Sequence, residues 1–236
     1  MRIDKYICES TELSRSDAKK ALKRRGVTCD GDVILKADFK VPEGALVRME
    51  GVTLQPRGTR YIMLNKPLDT VCSNVDEESY DSVLSLLDLD KAKVLKIAGR
   101  LDVDTTGLVL ITDDGQWAHR VTSPNKEYGK RYWVKLENHI PEIEFDSITR
   151  QFSEGLQLRN ETDLTKSAKL EIIASDEVLL TLYEGKYHQV KRMMAAVNNK
   201  VIGLHREQIG TIELDESLEL GQWRYLTNEE VAYFAR

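Results

Sequence analysis

One stretch of the chain concentrates acid, base and hydroxyl side chains at close spacing: Ala98-Gly99-Arg100-Leu101-Asp102-Val103-Asp104-Thr105-Thr106-Gly107. An Asp carboxylate can act as a covalent nucleophile. Arg100, Asp102 and Asp104 alternate with Leu101 and Val103, so an extended backbone would put the three charges on one face. A short apolar run, Val94 to Ala98, leads in, and Leu108-Val109-Leu110-Ile111 leads out. Such runs read as buried strands, and the glycine-rich polar segment between them reads as a loop. A loop held at both ends by core strands is where catalytic side chains are commonly placed.

Other readings compete for the same residues. A solvated charged loop is the ordinary one. Asp102, Asp104, Thr106 and Gly107 fall at the first, third, fifth and sixth positions of a calcium loop, but Asp113 stands where that loop needs Glu, and Val109 to Ile111 are too apolar for it. An Asp-Thr-Gly triplet of aspartic-protease type is spoiled by the second Thr. His119, His139, His188 and His205 lack metal-site spacing, and no metal site is expected. No glycine-rich nucleotide loop is present.

The elements that must position this stretch read as follows. Residues 3–9 form a short helix, and Ser14-Arg15-Ser16-Asp17 opens a second one as a capping box. Gly26 is its natural terminator. Val27 to Ile34 is a hairpin with Asp30-Gly31 in the turn. Arg15, Lys19, Lys20, Lys23, Arg24 and Arg25 lie on or beside the second helix, dense for a merely solvated face. Gln55 to Arg60 reads as a linker. Tyr61 to Leu64 starts a second domain. The acidic segment 69–90 reads as a solvated loop with a short helix around Val83 to Leu87. Asp114-Gly115 leads into a helix closed by Pro124. Lys130 to Glu137 alternates as a strand with Tyr132, Val134 and Leu136 inward. Pro141 to Phe152 is helical, Leu170 to Ile173 and Val178 to Tyr183 are strands, and Tyr187 to Val197 is a helix. Val201 to Leu204 begins another strand, and Thr227 caps a last helix. The mixture without a βαβ rhythm predicts an α+β fold with a mixed, largely antiparallel sheet.

Bulk composition sets limits. The 236 residues are 31% charged and 41% apolar, which suits folded domains. The three cysteines, Cys8, Cys29 and Cys72, form no C-x-x-C pair, which fits a reducing compartment. No run approaches a membrane span, and Met1 to Lys5 has no signal-peptide core, so a cytoplasmic location is expected. The net charge is −5. Residues 1–60 nevertheless carry 13 Lys and Arg against 9 Asp and Glu. A local basic patch, not the total, sets attraction to phosphate.

Gly99-Arg100-Leu101-Asp102 with Thr106-Gly107-Leu108 resembles the signature loop of the RsuA/RluA-type pseudouridine synthases. Gly185-Lys186-Tyr187-His188-Gln189-Val190-Lys191-Arg192-Met193, Asn65-Lys66-Pro67 and Lys130-Arg131-Tyr132 extend the match. The run Asp104 to Pro124, with Asp163-Leu164-Thr165-Lys166, is similar to members acting on the small ribosomal subunit. The first two helices and hairpin resemble an S4 RNA-binding module. The resemblance implies domains at 1–54 and 61–236, joined by a linker at 55–60, and the isomerisation of uridine to pseudouridine without a cofactor. The C1′–N1 bond breaks, the base turns, and C1′ joins C5 after the base has been flipped out of the RNA.

The resemblance also implies roles. Asp102 is the catalytic carboxylate, attacking either ribose or base, with Asp104 its rival. Tyr132 stacks on the uracil and handles the C5 proton, and Arg100 takes the flipped base's place. Asn65 and Lys66 line the cleft rim, and His188 is near the cleft with no proton-transfer role assigned. Arg15, Lys19, Lys20, Lys23, Arg24 and Arg25 contact phosphate, which sets position without reading sequence. The cation beside Asp102 is Lys191 or Arg192. Val190, Met193, Met194 and Val197 make the helix's apolar stripe, and at about 100° per residue Lys191 reaches inward from its edge while Arg192 points to solvent or RNA. Relatives commonly carry Arg at the position of Lys191. The implied substrate is 16S ribosomal RNA at uridine 516, met by a monomer on an assembling small-subunit particle, away from membranes. The rivals are a 23S synthase, a non-catalytic ribosome-assembly protein and an RNA methyltransferase.

Overall fold

A computed structural model describes residues 1–11, 13–77 and 79–235. The chain divides into two compact units, Met1–Thr59 and Arg60–Arg236.

The first unit begins with helices α1 (Ile3–Ser10) and α2 (Arg15–Lys23). The Ser14 hydroxyl accepts from the Asp17 N–H, which satisfies one of the orphan donors of α2's first turn. Strands β1 (Val27–Cys29), β2 (Asp32–Val33), β3 (Val47–Met49) and β4 (Val52–Thr53) form an antiparallel sheet in the order β2-β1-β3-β4. Ile3, Ile7, Ala18, Leu22, Val27 and Val47 bury completely between helices and sheet. Helix α2 ends just before Gly26, as expected: Arg25 takes the left-handed conformation, with φ 62°, and the Gly26 N–H donates back to the Ala21 carbonyl at 3.2 Å. The Gly26 carbonyl accepts from the Glu50 N–H at 2.8 Å, which joins the helix end to the sheet.

The second unit contains β5 (Tyr61–Lys66), β6 (Thr70–Val71), β7 (Asp81–Ser82), β8 (Lys96–Ala98), β9 (Thr106–Thr112), α3 (Gly115–Thr122), β10 (Lys130–Leu136) and α4 (Phe145–Glu154). There follow β11 (Lys169–Ala174), β12 (Glu177–Leu182), α5 (Gln189–Ala196), β13 (Val201–Ile209), β14 (Ile212–Glu213), β15 (Trp223–Tyr225) and α6 (Asn228–Tyr233). The main sheet runs β11-β12-β10-β13-β9-β5-β15, with β8 on β9 and β14 on β13. Within it the pairings are antiparallel except β9 with β13, which run parallel. The short helix expected in 69–90 is a 3-10 turn, Val83–Leu86, whose Val83 and Leu84 are buried.

Both faces of the central strands are covered. Ile62, Leu64, Val109 and Ile111 join one apolar cluster, with Tyr132, Val134 and Val190. Met63, Leu108 and Leu110 join the other, with Trp117 and Phe234. A strand buried on both sides reads as a continuous apolar run, which is what 108–111 shows.

The parallel junction is the tightest point of the sheet. His205 stands opposite Thr106, and Arg206 opposite Gly107. Gly107 has φ +103°, and a Cβ there would lie 2.3 Å from the Arg206 carbonyl oxygen. Only glycine permits both the conformation and the approach. Gly107→Ala is therefore expected to destabilise the second unit by roughly 2–4 kcal/mol, a fall of roughly 5–15 °C in melting temperature. Thermal unfolding followed by circular dichroism checks this, and an unchanged melt would refute the packing argument.

Candidate active site

The polar stretch between β8 and β9 is pinned from below by two buried cations. Lys66, at the end of β5, is 0% exposed. Its ammonium donates to the carbonyls of Pro67 at 2.9 Å, Thr105 at 2.9 Å and Val103 at 3.3 Å. Arg206, on β13, is 1% exposed. Its guanidinium donates to the carbonyls of Leu108 at 2.8 Å, Gly99 at 2.9 Å and Arg100 at 3.4 Å. Among the described residues neither cation makes an ion pair. Burial pulls the Lys66 ammonium below the usual lysine range, and the negative charges of Asp104, Asp102 and Asp69 oppose that pull.

The stretch is not a straight strand. Gly99 takes φ +93°. Leu101 turns into the core, and its N–H donates to the Cys72 sulfur at 3.3 Å. The Thr105 N–H donates back to the Asp102 carbonyl at 3.1 Å, closing a turn over Val103 and Asp104. Both aspartates nevertheless reach one cation. The Lys191 ammonium lies 2.6 Å from Asp104 Oδ1 and 3.5 Å from Asp102 Oδ2. Burial acts to raise the Asp104 pKa, but the hydrogen bond and charge of Lys191 outweigh it and hold the carboxyl below its ordinary value. His188 Nε2 lies 3.5 Å from the same Asp102 Oδ2. Arg100 is exposed and, among the described residues, its guanidinium makes no ion pair.

Helix α5 supplies Lys191 as its periodicity predicts. Val190, Met193 and Met194 are buried and Val197 packs against the same cluster, so Lys191 emerges at the edge of the buried face. Arg192 departs from expectation. Its guanidinium donates to Glu161 at 2.9 Å, to the Arg159 carbonyl at 2.8 Å and to the Tyr187 carbonyl at 3.3 Å, so it is occupied in fastening a neighbouring loop. Tyr132 is 9% exposed and stands opposite Arg206 across the β10–β13 pair, in the same apolar cluster as Leu101.

Asn65 and Lys66 do not line a rim. Both are buried: Lys66 spends its three protons on carbonyls, and the Asn65 amide donates to the Leu218 carbonyl at 2.8 Å. The reason is that β5 is a central strand covered on both sides, so its polar residues serve the fold. In the first unit, Arg15, Lys19, Lys20, Lys23, Arg24 and Arg25 are all exposed, though only the first four lie on α2. Lys20 is paired with Asp17 at 2.8 Å. Arg15 and Lys19 also line a cleft of about 560 Å³ with Met1, Arg2, Asp4 and Lys5.

The RNA pseudouridylate synthase family model matches residues 60–196, and the S4 domain model matches residues 1–47. The chain belongs to the RNA pseudouridylate synthase family. It is 52% identical to the ribosomal small subunit pseudouridine synthase A of Vibrio parahaemolyticus, with 98% of each chain covered. The enzyme of that name from Escherichia coli is 49% identical over 98% of this chain and 99% of its own. A solved pseudouridylate synthase structure superposes with a TM-score of 0.70 at 44% identity, covering 99% of both chains. As a pseudouridylate synthase, the chain is an isomerase.

Sequence reasoning missed Arg206 altogether, gave Cys72 no part in the site, and placed His188 near the cleft without a proton-transfer role. Arg206 and Cys72 act through backbone groups of the loop, which leave no side-chain pattern to read. For this pseudouridylate synthase, Lys191→Met is expected to lower the single-turnover rate at saturating RNA by about 10²-fold, since the preorganised cation that reaches both Asp102 and Asp104 is lost. Arg192→Met is expected to keep that rate and to lower the melting temperature, because it unties residues 159–161. A larger rate loss for Arg192→Met would show that the wrong cation has been assigned.

Proposed function

We propose that the chain converts uridine 516 of 16S ribosomal RNA to pseudouridine, with Asp102 as nucleophile and the target base flipped out of its stack. The target rests on one observation, the match of about half the residues over nearly the full length to small-subunit synthases. The chemistry rests on Asp102, held in a pinned loop beside Lys191 and open to solvent on one side.

Asp102 attacks the flipped nucleotide, at ribose or base. The C1′–N1 bond breaks, the uracil turns, C1′ bonds to C5, the bond to Asp102 breaks to free its carboxylate, the C5 proton leaves and N1 is protonated. Substrate and product are isomers, so the steps balance without an external oxidant or reductant. Lys191 favours the ionised carboxylate at Asp104 and lies 3.5 Å from that of Asp102. Tyr132 presents its ring to the uracil and is the group nearest in kind to accept the C5 proton. Arg100, exposed and without an ion pair among the described residues, fills the place that the base vacates. Lys66 and Arg206 act one step removed, by fixing the loop. The cations Arg15, Lys19, Lys20, Lys23, Arg24 and Arg25 supply phosphate attraction from the first unit. The chain works as a monomer in the cytoplasm, on an assembling small-subunit particle.

Asp102→Asn is expected to keep RNA binding and abolish tritium release from C5-labelled 16S RNA, because an amide is no nucleophile. Release near the wild-type rate would overturn the assignment. A pseudouridine map of ribosomal RNA from cells lacking the gene should lose position 516 alone. Loss at a 23S position instead would move the target to the large subunit.

Charge reversal at Lys23, Arg24 and Arg25 is expected to weaken binding and flatten the slope of log K against log salt by roughly 2 to 3, as released counterions are lost. Filter-binding titrations at several salt concentrations measure it. An unchanged slope would show that these cations do not meet phosphate.

A further inference from the structure

Tyr187 is 77% exposed, whereas the next most exposed aromatic among the described residues, Tyr225, is 49% exposed. A tyrosine held this far out of the core, beside reacting groups, needs a reason. Its ring stacks on His188, with centroids 3.8 Å apart and planes 21° from parallel. His188 in turn lies 3.5 Å from Asp102. The two rings therefore form a short stack that starts at the candidate nucleophile and ends in solvent.

The stack is held in place. His188 takes a left-handed backbone, φ 46°, immediately before α5. Gln189 is buried, accepts from the Lys186 N–H at 2.8 Å and donates to Glu184 at 2.7 Å. The Tyr187 carbonyl accepts from Arg192, and Arg192 is itself anchored to Glu161. Residues on both sides of Tyr187 are thus tied down while its outer ring face stays open. A surface fixed before binding loses little entropy when a partner meets it.

We propose that the outer face of Tyr187 is a stacking platform for an unpaired nucleobase adjacent to the target uridine. The proposal rests on the reading of Asp102 as the residue that meets that uridine. Every base offers a π-face, so an aromatic platform grips a splayed strand without reading its sequence. At the inner end of the stack two carboxylates, Asp102 and Asp104, share the one cation Lys191. His188, covered on one face by Tyr187, passes the stack toward that end.

The test uses the full chain and a 16S RNA fragment with 2-aminopurine on either side of the target uridine. Binding to wild type should quench one of the two probes. Tyr187→Ala should abolish that quench and raise the RNA concentration for half-maximal single-turnover rate by about fivefold or more. The rate at saturating RNA should change far less. Tyr187→Phe, which keeps the ring, should restore both. An unquenched probe at both positions in wild type, or a Tyr187→Ala variant with unchanged quench and half-saturation, overturns the proposal. A Tyr187→Phe variant as impaired as Tyr187→Ala also overturns it, since the hydroxyl rather than the ring face would then matter. If wild type quenches a probe but releases no C5 tritium from this fragment, the choice of target fails while the platform stands.

Discussion

The loop that carries Asp102 takes its shape from two buried cations. Moving an ammonium or guanidinium out of solvent costs several kcal/mol, and hydrogen bonds to the buried charge offset that cost. Lys66 places its three protons on the carbonyls of Pro67, Val103 and Thr105, and Arg206 donates to those of Gly99, Arg100 and Leu108. Each loop carbonyl so used is fixed in direction, and with it the peptide plane that sets the next side chain. Asp102 lies between the carbonyls held by Arg206 and those held by Lys66. Its position is therefore over-determined from both ends. The left-handed Gly99 and Gly107 are consequences of the same clamp, since the chain must bend sharply at each end to bring carbonyls onto a buried fork.

This clamp explains what could be read in advance and what could not. The bounding strands, the inward Tyr132 and the edge position of Lys191 all follow from apolar periodicity, because burying a stripe fixes the phase of everything else on the element. Lys66 and Asn65 were misread as rim residues because polar types default to the surface. Only a sheet covered on both faces overrules that default, and the covering residues come from distant parts of the chain. Arg206 was invisible for a different reason. A cation that binds carbonyls has no acidic partner in sequence to betray it.

Cations are used differently in the two units. In the first, Arg15, Lys19, Lys23, Arg24 and Arg25 are exposed on or just beyond one helix. In the second, Arg131, Lys135, Lys186, Arg192 and Arg224 each pair with an acid. Paired charges are largely spent locally and attract phosphate weakly.

The sharing of Lys191 bears on why a lysine can stand there. One Nζ sits 2.6 Å from Asp104 and 3.5 Å from Asp102, so a single point charge serves two carboxylates and binds one of them more closely. A guanidinium would tend to fork onto both oxygens of one carboxylate, a stronger but more exclusive contact. With lysine, Asp104 takes the short hydrogen bond and Asp102 keeps the longer, weaker one. The uneven split leaves Asp102 the less tightly held of the two carboxylates, with Asp104 as the anchor that keeps Lys191 in reach. Under the proposed mechanism Asp104 is then the residue that holds the cation of Asp102.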